Sequence, residues 1–179
     1  MIESTRVLSL LALLALAVFA CGGEEGVARP LTEQEQSLVA SSNQFGFEFF
    51  GEVLARADGG NVFVSPLSVS MALGMTYNGA RGDTEVGMRK TLSYGALGTA
   101  EINEGYRGLI DLLCQLDPEV TMEIANSIWY REGFEVLQSF IDVNTTFFDA
   151  VVSALDFDDP EAADTINAWV SDETEGRIP

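Results

Sequence analysis

Residues able to carry out catalysis are scarce in this chain. The 179 residues include no histidine, which excludes Ser-His-Asp and Cys-His catalysis as well as metal sites built on imidazole. The sequence also lacks a Gly-x-Ser-x-Gly turn that would expose a nucleophilic serine,. No two carboxylates are placed together in an apolar setting, as acid–base catalysis would require. We therefore expect no enzyme activity, no catalytic residue, no cofactor and no metal ion.

The densest group of charged side chains suggests a calcium site at first sight. It comprises Asp156, Asp158, Asp159, Glu161 and Asp164. Their spacing lacks the glycine and the terminal glutamate of a calcium-binding loop. Negative charge is also favourable at a helix N-terminus, and Asp159 followed by Pro160 is typical of such a start. We predict a helix capped by Asp159, with solvated acidic residues around its first turn.

The chain as a whole is strongly acidic, with a formal net charge of −19. Such a chain repels the phosphates of nucleic acids, so we exclude nucleic acid as a partner. The same charge favours solubility. A hydrophobic content of 47% in a chain of this length is sufficient for one globular domain with a sizeable core.

The N-terminus is typical of a targeting segment. Arg6 precedes an apolar run, Val7 to Ala20, that is too short to span a bilayer comfortably,. The run continues into Cys21 and two glycines, and this junction resembles the lipobox of bacterial lipoproteins, in which the cysteine becomes the first mature residue and carries lipid. We predict a signal peptide over residues 1–20, a lipid anchor on Cys21 and a flexible tether over residues 21–31. The protein would then be extracellular or in the cell envelope, with ordinary cleaved secretion as the alternative.

The stretch from Asn61 to Asn78 dominates the rest of the sequence. It opens with strand-like residues, and Ser65 then provides an N-cap with Pro66 at the first helical position,. The helix that follows is apolar nearly all round, which is typical of a helix in the middle of a protein. Its small polar exceptions include Ser65 and Ser68, whose hydroxyls need partners if they are buried, as we expect.

Hydrophobic periodicity and capping patterns predict the neighbouring elements. Thr32 and Glu35 form a capping box at the start of a first helix, and a second amphipathic helix begins at Thr99. Alternating apolar residues predict one long strand from Val120 to Tyr130. We expect a group of phenylalanines in the first helix to lie in the core. Cys114, the other cysteine besides Cys21, is also expected there as a small buried apolar residue. The phenylalanines are Phe45, Phe47, Phe49 and Phe50.

Three blocks of the sequence together resemble the serpins, the serine protease inhibitor family. The first is the stretch that begins at Asn61 and contains Pro66, and it resembles the central serpin helix. The second, Ile124 to Trp129 around Asn126, resembles the second strand of the large serpin sheet. The third resembles the helix that crosses the front of that sheet. Its matching residues are Asn167, Trp169, Thr174 and Gly176.

The resemblance implies an α+β fold, a multi-helix domain with three sheets, of which residues 32–179 would form the N-terminal part. It also implies inhibition of a serine or cysteine protease, which cleaves a reactive loop that then inserts as a strand into the large sheet. Residues matching Ser65 and Ser68 lie in the family under the opening of that sheet, called the shutter.

The sequence stops at Pro179, before the region where the family carries its reactive loop. We therefore expect that these 179 residues alone do not trap a protease, and that the reactive bond cannot be assigned. The chain would be a piece of a longer inhibitor or a truncated, inactive reading frame. A non-inhibitory binding lipoprotein built on the same domain is the further alternative.

The lipid anchor predicts the chemistry of the mature N-terminus. Mass spectrometry of the mature protein should find residues 1–20 removed and a lipid on Cys21, because the apolar run ends at the cysteine. An unmodified Cys21, or retention of Met1, would contradict the prediction.

Overall fold

The computed structural model describes residues 29–178. Within that range the chain forms six α-helices and a single two-stranded sheet. In chain order the elements are α1 (Glu33–Arg56), α2 (Pro66–Tyr77), α3 (Gly82–Thr91), α4 (Thr99–Cys114), β1 (Asn126–Arg131), α5 (Gln138–Phe148), β2 (Ala150–Leu155) and α6 (Ala162–Glu173).

Helix α1 begins with the predicted capping box. The Thr32 side chain accepts a hydrogen bond from the Glu35 backbone N–H, and the Glu35 carboxylate accepts one from the Thr32 N–H at 2.8 Å,. Glu35 is also buried, at 2% exposure, and is paired with the Arg29 guanidinium at 2.6 Å. A side chain at Gly108 of α4 would collide with the Glu35 carboxylate. The glycine therefore lets α4 approach the start of α1.

Helix α2 lies at the centre of the core, as its apolar composition predicts. Met71, Met75 and Tyr77 are buried, and the helix packs against α1, α3, α4 and α5. Ser65 caps it and Pro66 takes its first position,. Gly74 faces α4 so closely that an added Cβ would lie 2.8 Å from Cε2 of Tyr106. Burial of this helix fixes the relative positions of the helices around it.

The sheet consists of two parallel strands. Register pairs Asn126 with Ala150 and Arg131 with Leu155, and the crossover between the strands contains α5, as a parallel connection requires. With two strands in the sheet, the described residues leave one edge of β1 unpaired. The combination of packed helices and this sheet confirms the predicted α+β class. Of the three sheets that the resemblance implies, residues 29–178 form this one.

One strand prediction was wrong and another was too long. Residues Asn61 to Val64 form no strand, and residues 120–125 of the predicted long strand form none either. Both segments have the composition or the alternation of strands. A strand, however, also needs a neighbour to satisfy its backbone groups, and the described residues provide none for either segment.

Several local predictions were also wrong. Helix α6 begins at Ala162 with Glu161 as its N-cap residue, because the Asp159 carboxylate instead accepts a hydrogen bond from the Glu161 N–H at 2.9 Å and closes a turn before the helix,. Cys114 is exposed at the end of α4. Phe47 is 81% exposed, whereas Phe45 is buried, so the phenylalanine group is only partly in the core.

The predicted signal peptide and Cys21 lie outside the described residues, as does most of the predicted tether. Within residues 29–178, no helix combines the length and the apolar character that a membrane crossing needs.

The buried Glu35 predicts a dependence of stability on pH. Hydrogen bonds from Arg29 and from the Thr32 N–H lower the pKa of Glu35 to about 2, against about 4.3 in an unfolded chain. A lowered pKa in the folded state adds stability above the unfolded value, and this contribution is lost as the pH falls towards 2. Glu35→Gln should therefore lower the free energy of unfolding at neutral pH by roughly 1–3 kcal/mol, with a smaller difference from the native chain at acidic pH.

The matched control is Glu33→Gln, which removes an exposed carboxylate from the same first turn. Denaturant titrations at several pH values compare the two variants. A Glu35→Gln effect that does not change with pH, or that Glu33→Gln reproduces, would refute the assignment.

Candidate functional site

A groove beside α2, called here the α2 groove, is bordered by several of the predicted site residues. It has a volume of about 760 Å³. Three parts of the chain form its walls. They are one side of α2, the extended residues 121–125 with the start of β1, and residues 173–178 around the end of α6. Its residues include Leu67, Met71, Ala72, Met75, Met122, Ile124 and Ile178.

Four of the predicted site residues meet in the α2 groove. They are Ser65, Ser68, Asn126 and Thr174. The blocks that carry them are far apart in the sequence, so only the tertiary fold brings them together. The convergence places the predicted shutter serines beside the start of β1.

Hydrogen bonds hold each of these polar side chains in place. The Ser65 and Ser68 hydroxyls lie 2.8 Å apart, and the Ser68 N–H donates to Ser65 Oγ at 3.3 Å. Asn126 Nδ2 donates to the Phe148 carbonyl at 2.8 Å and so links β1 to the end of α5. Thr174 Oγ1 donates to the Val170 carbonyl and accepts from the Ile178 N–H. The groove therefore has an apolar floor with satisfied polar groups along its rim.

The expectation that Ser65 and Ser68 are buried is wrong for the described residues. Both serines are exposed, because they lie on the side of α2 that faces the open groove. The buried serine of this helix is Ser70, at 1% exposure. Its hydroxyl donates to the Leu67 carbonyl at 2.9 Å, which satisfies the buried group inside the helix.

The remaining predicted residues lie elsewhere. Asn61 and Asn167 are exposed, while Pro66 packs against α1, where a Cβ added at Gly46 would lie 3.1 Å from the Pro66 ring. Trp169 makes an edge contact with Trp129 at a ring-centroid distance of 6.2 Å and so joins α6 to β1. Gly176 has φ of 73°, which its missing side chain permits, and its N–H donates to the Ser171 carbonyl to close α6,.

A tyrosine network beneath the groove was not predicted as a unit. Tyr106 donates a hydrogen bond to the Ser70 carbonyl at 3.0 Å, and its oxygen lies 3.2 Å from that of Tyr94. Since the one Tyr106 proton is used on Ser70, Tyr94 is the donor to Tyr106. Burial raises the pKa of both phenols, so both stay protonated. Tyr106 lies in the predicted amphipathic helix that begins at Thr99, but no local signal in the sequence identified Tyr94 as its partner.

The acidic group before α6 is solvated. All five carboxylates are exposed, and Asp158 pairs with Arg131 at 2.7 Å. In the described part of the chain, no group of three or more His, Cys, Asp or Glu residues could hold a metal ion. In the turn before the helix, the Asp156 carboxylate accepts from the Asp158 N–H and the Asp159 carboxylate accepts from the Glu161 N–H.

The arrangement around the α2 groove suits the binding of a polypeptide strand. The groove borders Asn126 and Ser127 at the start of β1, while no residue of β2 lines it. The unpaired edge of β1 carries backbone donors and acceptors that an added strand can satisfy. The serine hydroxyls supply further groups that can exchange partners when the groove is filled.

Comparison with known families identifies this architecture. Residues 40–179 match the family model described as Serpin (serine protease inhibitor). The chain is 32% identical over 146 residues to the leukocyte elastase inhibitor of Bos taurus, covering 80% of this chain and 38% of that protein. It is 30% identical to the corticosteroid-binding globulin of Oryctolagus cuniculus over the same shares of both chains.

A solved structure agrees with the sequence comparisons. Cleaved kallistatin complexed with heparin superimposes with a TM-score of 0.69 at 21% identity, covering 80% of this chain and 43% of that structure. At 21% identity, this match shows a shared fold and nothing about function. The chain thus spans 38% of the length of the curated relatives named here, in the N-terminal part of the domain. The family model, the relatives and the fold agree, and the chain therefore belongs to the serpin family.

Proposed function

We propose that this chain is the N-terminal part of a serpin-type endopeptidase inhibitor, which acts by cleavage of a reactive loop and insertion of that loop as a strand. The family is one of protease inhibitors, and the target would be a serine or cysteine protease. The observation that supports the proposal most directly is the family match over residues 40–179, together with the meeting of Ser65, Ser68 and Asn126 in the α2 groove.

Insertion of a strand needs a sheet edge with backbone groups that can pair with it, and beneath the sheet a groove floor that can accommodate the added strand. An open β edge offers a row of backbone N–H and C=O groups, and pairing with them supplies most of the affinity of an added strand. The short β1, with Trp129 packed against Trp169 of α6, provides such an edge on one side of the sheet. In the complete domain the further strands of the large sheet would pair with this edge, and the reactive loop would then enter that enlarged sheet as a new strand.

The two groove serines would have a defined task during insertion. Their oxygens lie 2.8 Å apart, so one hydroxyl donates to the other and the proton of the second hydroxyl remains available for a further bond. A strand entering the groove presents backbone groups that need partners, and an unsatisfied buried group costs roughly 1–3 kcal/mol. Ser65 and Ser68 would then provide partners in both states of the sheet.

We also propose that the protein acts outside the cytoplasm, anchored to a membrane through a lipid on Cys21. The support is the lipobox-like junction in the sequence. Anchoring would hold the inhibitor close to the cell surface that it protects, with residues 21–31 as the tether.

A non-inhibitory binding role is the second candidate. One of the relatives is named a corticosteroid-binding globulin, so the proteins similar to this chain include one that is named for the ligand it binds. This role would need neither loop insertion nor a free sheet edge, and the two candidates therefore separate experimentally.

The test uses the full-length protein isolated from its source and incubated with a panel of serine and cysteine proteases. Denaturing electrophoresis should show a covalent complex between a protease and the full-length protein. The expressed 179-residue chain should form none. If the full-length protein is only cleaved, or forms no complex with any protease, the proposal of inhibition by insertion fails.

Two matched variants of the full-length protein test the groove itself. Ser68→Leu places a larger apolar side chain in the α2 groove, while Ser171→Leu makes the same change on α6 outside it. Ser68→Leu should shift the reaction from complex to cleaved inhibitor, and Ser171→Leu should leave the yield of complex unchanged. Equal yields from both variants would remove the α2 groove from the mechanism.

A further inference from the structure

A reciprocal pair of amide side chains joins the C-terminal end of α2 to α4. Asn78 Nδ2 donates to Asn103 Oδ1 at 3.0 Å, and Asn103 Nδ2 donates to Asn78 Oδ1 at 2.9 Å. Asn103 is 4% exposed, and Asn78 is half-buried. Because each amide satisfies the other, the pair fixes the side chain of Asn78 in one orientation.

The residue after Asn78 is Gly79, and this dipeptide has a chemistry of its own. Glycine puts no side chain in the way of its backbone nitrogen, so that nitrogen can reach the side-chain carbonyl carbon of a preceding asparagine. We propose that Asn78 is a site of spontaneous deamidation, which the Asn103 pair blocks in the folded protein and which opening of the α2–α4 contact releases.

The reaction needs only water as co-reactant. Gly79 N attacks Asn78 Cγ, and a C–N bond forms as the Cγ–Nδ2 bond breaks. The proton of Gly79 N is lost to solvent, and Nδ2 leaves as ammonia. Water then adds either to Cγ or to the main-chain carbonyl carbon of residue 78, and the bond from that carbon to Gly79 N breaks, with the proton of water passing to the nitrogen. The product is aspartate, or isoaspartate in which the main chain runs through the side-chain carbon.

Three features of the folded chain oppose the attack. The Gly79 N–H is engaged by the Thr76 carbonyl at 3.0 Å. Asn78 has φ of −59° and ψ of −25°, helical values that ring closure must change. The two hydrogen bonds with Asn103 hold the Asn78 side chain in one orientation, which a turn of that side chain towards Gly79 N would break. Gly79 itself is exposed, so water and hydroxide reach the site once the chain opens.

The products would not fit the site. An aspartate has no N–H to return to Asn103 Oδ1, so one of the two hydrogen bonds becomes an oxygen–oxygen contact. Isoaspartate lengthens the main chain at the turn after α2, where a Cβ added at Gly79 would lie only 3.1 Å from the Phe140 ring of α5. Deamidation would therefore weaken the junction of α2, α4 and α5 irreversibly and mark molecules that have opened there.

The test follows deamidation by peptide mapping with mass spectrometry at mildly alkaline pH. In the folded protein, Asn78 should react at least about tenfold more slowly than in denaturant, since an opening that costs roughly 1.4 kcal/mol already lowers the reactive population tenfold. The exposed Asn61 lies outside every helix and strand of the described residues, so it is the internal comparison and should react at similar rates in the two states. Equal rates at Asn78 in the folded and unfolded protein would overturn the proposal.

A pair of variants separates local protection from global stability. Asn103→Ala removes the partner amide, whereas Leu38→Ala destabilises the core and leaves both amides in place. At denaturant concentrations that give equal fractions of unfolded protein, Asn103→Ala should deamidate faster at Asn78. Equal rates in the two variants would show that the amide pair gives no protection of its own, which would contradict the proposal. The comparison of folded with denatured native chain stands even if Asn103→Ala fails to fold.

Discussion

The contact between α2 and α4 is the constraint on which the rest of the structure depends. Gly74 allows the Tyr106 ring to lie against the α2 backbone, and only at that distance can the Tyr106 hydroxyl reach the Ser70 carbonyl. Tyr94 completes the network by donating to Tyr106. Ser70, Tyr94 and Tyr106 are all buried. Breaking one of their hydrogen bonds would therefore leave a buried polar group unsatisfied, which is destabilising.

Once α2 is held there, its two long sides acquire different roles. One side packs on α1 and α4, and Met71 and Met75 are buried between that side and the groove, whose floor they also form. The other side, with Ser68 and Ala72, is the wall of the α2 groove. The start of β1 reaches the groove because Asn126 is tied to the Phe148 carbonyl, and Phe148 packs against Tyr106. The groove and the free edge of β1 are thus fixed by the same core.

Local signals in the sequence predicted the features that depend on neighbouring residues. The capping box of Thr32 with Glu35 and the Ser65–Pro66 start of α2 are encoded within one turn, and both were confirmed. Strand length was not predictable in this way. Residues 121–125 alternate between exposed and half-buried positions as a strand would, but they have no neighbouring strand to pair with. At Asp159 two local signals compete, and the turn closed by the Glu161 N–H prevails over the helix cap.

Interactions between distant segments were beyond sequence reasoning. Nothing near Glu35 indicates that Arg29 and Gly108 complete its site, and nothing near Asn78 indicates Asn103. The convergence of Ser65, Ser68, Asn126 and Thr174 was predictable only through the family resemblance, since their spacing alone does not bring them together. The exposure of Ser68 and Cys114 likewise depends on which faces the fold covers.

Residue-resolved hydrogen exchange of the folded 179-residue chain tests the central claim most directly, namely that α2 is the core and that β1 has a free edge. The slowest amides should lie in α2 and in the half of α4 that faces it, because their opening requires the core to separate. In β1, every second amide should exchange fast, since those that point away from β2 have no partner. Uniform protection along β1, or exchange in α2 as fast as at that edge, would contradict the account.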